Sequence, residues 1–194
     1  MPPSVDLLMQ ESTSVSSAEG LDEAALVRDT LGGDARAFDQ IVRAHHQRVF
    51  YFLQRMTRQR QDAEDLAQQT FIKAFENLGR FDTARPMINW LLTIARHNAL
   101  NHFRAAKKWD ELPHDVATNE PSPAHAAEGR DQADDLWERA RALLSRREFE
   151  VLWLRFGEDL SVKETAGVIG LTETHVKVLV FRARQVLLKE EQRS

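Results

Sequence analysis

Arg96, His97, Asn98, Asn101, His102, Arg104, Lys107 and Lys108 crowd one short stretch of the chain, joining phosphate-seeking cations to amides that can hydrogen-bond base edges. That chemistry suits nucleic acid. Trp90, just upstream, can stack on a base or pack in a core, and its place in an apolar run keeps both readings open. A solvated helix face is the bland alternative for the charged residues. Against it, Arg85 to Trp109 holds five basic residues and no acidic one.

A second cluster lies upstream. Asp62, Glu64, Asp65, Gln68 and Gln69 occupy two turns of a helix and suit a basic protein surface. Read alone, such a cluster is more often plain surface that complements the helix dipole. A third set lies near the C-terminus. Ser161 and Glu164 form a capping-box pattern, Gly170 breaks the short helix they start, and Thr172 caps a longer one. This is a helix-turn-helix pattern, which places the second helix in a major groove with Lys177, Arg182 and Arg184 as cationic candidates. A plain helical hairpin has the same local pattern.

Other chemistries find little support. The seven histidines include the adjacent pair His45 and His46 and the five-residue spacing of His97 and His102, neither of which is ligand spacing, and cysteine is absent. No metal or cofactor is expected. There is no phosphate-binding glycine loop, no nucleophile elbow and no carboxylate pair in an acid-base setting, so no catalytic residue is assigned.

The elements that position these residues read as helices throughout, which makes the fold all-α. Asp22 and Asp34 cap the first two, and Phe38, Ile41, Val42, His45, Val49, Phe52, Leu53 and Met56 give the second a buried stripe. A third begins near Asp62 and packs through Leu66, Phe71, Ala74, Phe75 and Leu78. After a loop at Gly79 to Pro86, a fourth starts near Met87, buries Ile88, Leu91, Leu92, Ile94 and Ala95, and turns polar and basic in its distal half. Leu136, Ala140, Leu143 and Leu144 form the stripe of the next, and another follows through Phe149 to Phe156 and ends at Gly157.

Two small helical domains are expected, at 21–107 and 131–190. They follow a flexible tail at 1–20 and flank a flexible linker at 108–130, which carries three of the six prolines. The net charge of -4 hides segregation, because residues 110–138 hold nine acidic residues against Arg130 alone. No apolar run is long enough to span a membrane and no signal peptide opens the chain, which suggests a cytoplasmic protein.

In order, GGDARAFDQIV, DAEDLAQQTFIKAF, INWLLTIARHNALNHFR and LSVKETAGVIGLTETHVKVLVFRARQVL resemble four segments of the sigma-70 family of bacterial initiation factors, in its two-domain extracytoplasmic-function type. The four are its first scaffold helix, core-polymerase-binding segment, promoter-melting and minus-ten segment, and minus-thirty-five helix-turn-helix. The resemblance runs from about Ala24 to Lys189, apart from the linker. It implies a non-enzymatic subunit that binds core RNA polymerase at the beta-prime clamp helices and beta flap and directs promoter recognition and melting.

Asp62, Glu64, Asp65, Gln68, Gln69 and Ile72 would dock on the polymerase. Arg85, Trp90, Arg96, Asn98, Asn101, Arg104 and Lys107 would serve the minus-ten element, with a flipped base held by the loop at Gly79 to Pro86. Thr174, His175, Lys177, Val178, Phe181, Arg182 and Arg184 would read the minus-thirty-five element. The resemblance also implies an anti-sigma partner and promoter DNA as ligand, with no small-molecule substrate and no membrane insertion. Gln69 stands where the family commonly has Glu, His97 where it commonly has Asn, and His175-Val176-Lys177-Val178-Leu179 where Thr-Val-Lys-Ser-Arg is frequent. A stand-alone helix-turn-helix regulator and a non-initiating partner of polymerase or anti-sigma protein are the alternatives.

Overall fold

The computed structural model describes residues 21–110 and 132–192, which fall in two compact units. The expected tail and nearly all of the expected linker lie outside the described residues. Residues 108–110 instead extend a helix. Among the described residues there is no strand, so the architecture is all-α as the periodicities imply.

The first unit contains α1 (Glu23–Leu31), α2 (Ala35–Thr57), α3 (Arg60–Glu76) and α4 (Met87–Asp110), with a 3-10 turn at Leu78–Arg80 before the loop. Asp22 caps α1 by accepting from the Ala25 amide at 2.9 Å, and Asp34 caps α2 by accepting from Arg36 at 2.9 Å. The central helix is α2, which packs on α1, α3 and α4. It buries Ala37, Ile41, His45, Val49, Phe52, Leu53 and Met56 at three- and four-residue steps. Each fully buried Leu, Ile or Phe of such a stripe stabilises by roughly 1.5–3 kcal/mol.

The helix α3 starts at Arg60, which places Asp62 inside its first turn. Its inner face is Ala63, Leu66, Ala67, Thr70, Phe71 and Ala74. Two apolar expectations are corrected. Phe75 is half exposed and meets Phe38 edge-on at 5.1 Å, because it lies one position past Ala74 and turns out of the core. Ile94 is only partly covered and borders a pocket.

The second unit contains α5 (Gln132–Leu143), α6 (Arg146–Leu152), a π turn at Trp153–Gly157, α7 (Val162–Ile169) and α8 (Glu173–Glu191). Here α8 is central and touches α5, α6 and α7. Trp137 sits edge-on to Trp153 at 4.7 Å and to Phe149 at 6.1 Å. Gly157 closes the π turn under the Trp153 indole, where an added Cβ would come within 2.8 Å of the ring. Leu143, expected within the α5 stripe, is exposed because the chain turns at Leu144 to enter α6. No described helix is long and apolar enough to cross a membrane.

Candidate protein-docking and nucleic-acid interfaces

The outer side of α3 carries Glu64, Asp65, Gln68, Gln69 and Ile72, all exposed and spaced at three and four residues. They form one surface. Beside it, α2 and α3 enclose an open groove of about 730 Å³ whose floor is Phe38, Val42, Phe71, Ile72 and Phe75 and whose acidic rim includes Asp39, Glu64 and Glu76. Ile72 and Phe75, three residues apart on one helix, each keep about half their surface in solvent. Asp62 stands apart from this surface. Its carboxylate lies 3.4 Å from His102 Nε2, so it faces α4, and the same contact occupies His102.

The far end of α3 shapes a different site. Lys73, Asn77, Arg80, Trp90, Ile94, His97 and Asn98 line a pocket of about 290 Å³ between the end of α3, the 3-10 turn and α4. Trp90 is half-buried, with its ring 5.0 Å from that of Phe81. It therefore both packs and lines the pocket. From the pocket, His97, Asn101 and Arg104 continue as an exposed line along α4. The loop is braced locally, since Asp82 accepts from the Ala84 amide at 3.1 Å and pairs with the exposed Arg85 at 3.2 Å.

Two residues expected to face DNA do not have an exposed side chain. Asn98 is 3 % and Arg96 7 % exposed. The helical period explains Asn98, which lies one turn before His102 on the side of α4 that meets α3. Asn98 accepts from Lys73 Nζ and donates to Thr70 Oγ1 at 3.1 Å, and Thr70 donates to the Leu66 carbonyl at 2.7 Å. Asn98 thus orients Lys73 at the pocket wall. Lys107 lies within α4, but its side chain is outside the described residues.

The start of α4 is held from a distance. The Met87 amide donates to Glu23 Oε2 at 3.2 Å, and Glu23 Oε1 lies 2.8 Å from His45 Nε2. The His45 hydrogen bond, helped by the Met87 amide and by His45 and Arg48 charge, holds the Glu23 carboxyl below its ordinary value despite partial burial. Sequence reasoning missed Glu23, Lys73 and Asn77, and it gave Arg80 only as part of the loop at Gly79 to Pro86. Lys73 and Asn77 share an i, i+4 spacing that could have placed them together.

In the second unit the helix-turn-helix forms as the caps require. Ser161 and Glu164 make the reciprocal capping box, Gly170 adopts φ +73° at the turn, and Thr172 accepts from the His175 amide at 3.3 Å. Val176, Leu179, Ala183 and Leu187 anchor α8 in the core. Leu179 is therefore a packing residue. Thr174, His175, Lys177, Val178, Phe181, Arg182 and Arg184 are all exposed. Val178 and Phe181 are 40 % and 63 % exposed, and cations flank them.

Among the described residues no group of three or more acidic or histidine side chains could hold a metal ion.

Residues 41–109 match the family model for sigma-70 region 2, and residues 135–187 match that for sigma-70 region 4. The ECF RNA polymerase sigma factor BldN of Streptomyces coelicolor is 31 % identical over 173 residues, covering 84 % of this chain and 64 % of BldN. The RNA polymerase sigma-H factor of Pseudomonas aeruginosa is 32 % identical over 180 residues, covering 84 % of this chain and 91 % of the relative. In fold, the chain is similar to CnrH, solved in complex with the cytosolic domain of CnrY, at a TM-score of 0.64, 24 % identity, and coverage of 90 % of this chain and 99 % of CnrH. It is likewise similar to the sigma factor RpoE from Bartonella quintana, solved with the anti-sigma factor NepR, at 0.64 and 23 % identity over 80 % of this chain and 96 % of RpoE. Two family models in order, on two helical units and with relatives of this identity, lead to one conclusion: the chain belongs to the sigma-70 family and is an RNA polymerase sigma factor of the extracytoplasmic-function (ECF) type.

Proposed function

We propose that this sigma factor docks on core RNA polymerase through the outer α3 surface and the α2–α3 groove, captures a base of the minus-ten element in the α3–α4 pocket, and reads the minus-thirty-five element with α8. The observation that carries this reading is the division of α3. Its Glu64, Gln68 and Ile72 border one concavity and its Lys73 and Asn77 another, so one rigid helix joins an acidic, apolar surface to a cationic, aromatic pocket.

The acidic rim suits a basic helical partner such as the beta-prime clamp helices, and Ile72 and Phe75 supply apolar area for it. The beta flap is the proposed second contact, with the other unit. The pocket offers Trp90 for stacking, worth about 1–3 kcal/mol per base, which offsets part of the unstacking that strand opening requires. Lys73, Arg80 and His97 are suited to the flanking phosphates, and Asn101, Arg104 and Lys107 extend that track along α4. Arg85, at the loop, is a further phosphate contact. In α8 the groove-facing set is Thr174, His175, Lys177, Val178, Phe181, Arg182 and Arg184. An anti-sigma protein that covered the α2–α3 groove would silence all of this by blocking the polymerase. The protein acts in the cytoplasm, where polymerase and promoter are.

Reversing Glu64 and Asp65 to Lys tests the docking assignment by direct titration of core polymerase. Affinity should fall by about tenfold or more, each tenfold being ~1.4 kcal/mol. A stand-alone helix-turn-helix regulator predicts no change in DNA binding and no polymerase affinity to lose. Retained polymerase affinity in the double variant would sink the assignment.

A further inference from the structure

A helix leaves its first amides without partners inside the helix, and the residue before them usually supplies a side-chain acceptor. Before α4 stands Pro86, which has none. The Met87 amide instead donates to Glu23 Oε2 at 3.2 Å, from a residue 64 positions earlier. A carboxylate there also meets the positive end of the α4 dipole. Its other oxygen lies 2.8 Å from Nε2 of His45, a residue 4 % exposed on the buried stripe of α2. Glu23 therefore joins α1, α2 and α4 at one point.

The same short helix reaches the other end of the loop. Leu31, the last residue of α1, lies beside the 3-10 turn, with its Cδ2 3.8 Å from where a Cβ of Gly79 would stand. Leu78 and Met87, the buried residues that bracket the loop, are 1 % and 0 % exposed. One rigid helix thus spans both ends of the segment 79–86, which carries Arg80 at the pocket and Phe81 against the Trp90 ring. Holding both ends in advance lowers the ordering cost of admitting a base. The family match begins at residue 41, so α1 lies outside it.

We infer that Glu23 is a positioning residue for strand opening: through the Met87 amide and His45 it fixes the start of α4 against α1 and sets the loop that closes the pocket. This rests on the assignment of the pocket to base capture. It predicts a defect in opening duplex DNA that disappears when the DNA is already open.

The experiment uses the full-length protein, saturating on core polymerase so that docking affinity drops out. The DNA is a promoter selected with the wild-type holoenzyme, as duplex and as a pre-melted heteroduplex, and opening is followed by permanganate reactivity. Glu23→Ala should open the duplex at least about tenfold more slowly yet use the pre-melted template within about twofold of wild type. Glu23→Gln keeps one oxygen for the Met87 amide and its volume, and should stay within about threefold on both templates. Wild-type opening by Glu23→Ala, equal losses on the two templates, or Glu23→Gln as slow as Glu23→Ala would each overturn the inference. Trp90→Ala separates the premise. If it opens duplex normally, the pocket assignment fails; if it is slow on duplex alone while Glu23→Ala is normal, only the role of Glu23 fails.

Discussion

The carboxamide of Asn98 donates to the hydroxyl of Thr70 at 3.1 Å, across the seam between α4 and α3. Both side chains are buried, and the Asn98 oxygen accepts from Lys73. Replacing Asn98 with Ala strips that seam of its polar bridge and should cost about 1–3 kcal/mol of stability in the protein alone. Asn101→Ala, on the exposed line of α4, should stay within about 0.5 kcal/mol of wild type while weakening promoter binding. Thermal melts of the two variants without DNA check this, and equal stability would return Asn98 to the DNA-facing set.

Acid should loosen the junction of α1, α2 and α4. The Glu23 carboxyl is held below its ordinary value of 4.5, first by the His45 hydrogen bond. Its depressed value means that its stabilisation is complete above 4.5 and is lost as the pH falls below that, through the lowered folded value. Melting temperature followed downward through this window should drop more steeply for wild type than for Glu23→Gln, which cannot titrate there. Parallel curves would show that the ionisation of Glu23 contributes nothing to stability.

How much of this was legible in the sequence follows from the range of each interaction. The helix-turn-helix was readable because Ser161, Glu164, Gly170 and Thr172 act within a few residues of one another. The stripe of α2 was readable because periodicity reports burial. Asn98 was misplaced because a polar residue in a basic stretch looks exposed until packing on Thr70 is known. Phe75 was misplaced in the opposite sense, since an aromatic near an apolar face looks buried. The bond from Glu23 to Met87 had no signal at all, because its partners are 64 residues apart in the chain.

The exposed Val178 and Phe181 on α8 offer apolar surface where the family often has a serine at the first position. Apolar side chains in a major groove recognise the thymine methyl. Replacing thymine with deoxyuridine at the contacted step of the minus-thirty-five element should weaken wild-type holoenzyme about fourfold, near 0.8 kcal/mol for one buried methyl. Val178→Ala should be weaker on thymine and nearly blind to the change. Equal sensitivity of both proteins, measured by equilibrium competition, would remove Val178 from base reading.

Gly157 has a packing reason to be glycine, because a Cβ would approach the Trp153 indole to 2.8 Å. Gly157→Ala should destabilise the second unit by about 1–3 kcal/mol through overpacking. Denaturant unfolding should detect it, and an unchanged midpoint would mean that the indole moves aside freely.

Promoter choice by RNA polymerase should depend on this chain. Purified core polymerase, a genomic promoter library and the full-length protein suffice to test it, with sequencing of the transcripts as readout. Discrete start sites should appear only when the protein is added and should vanish with Glu64 and Asp65 reversed to Lys. Transcription indifferent to the protein across the library, with core polymerase shown to be active on another sigma factor, would contradict it.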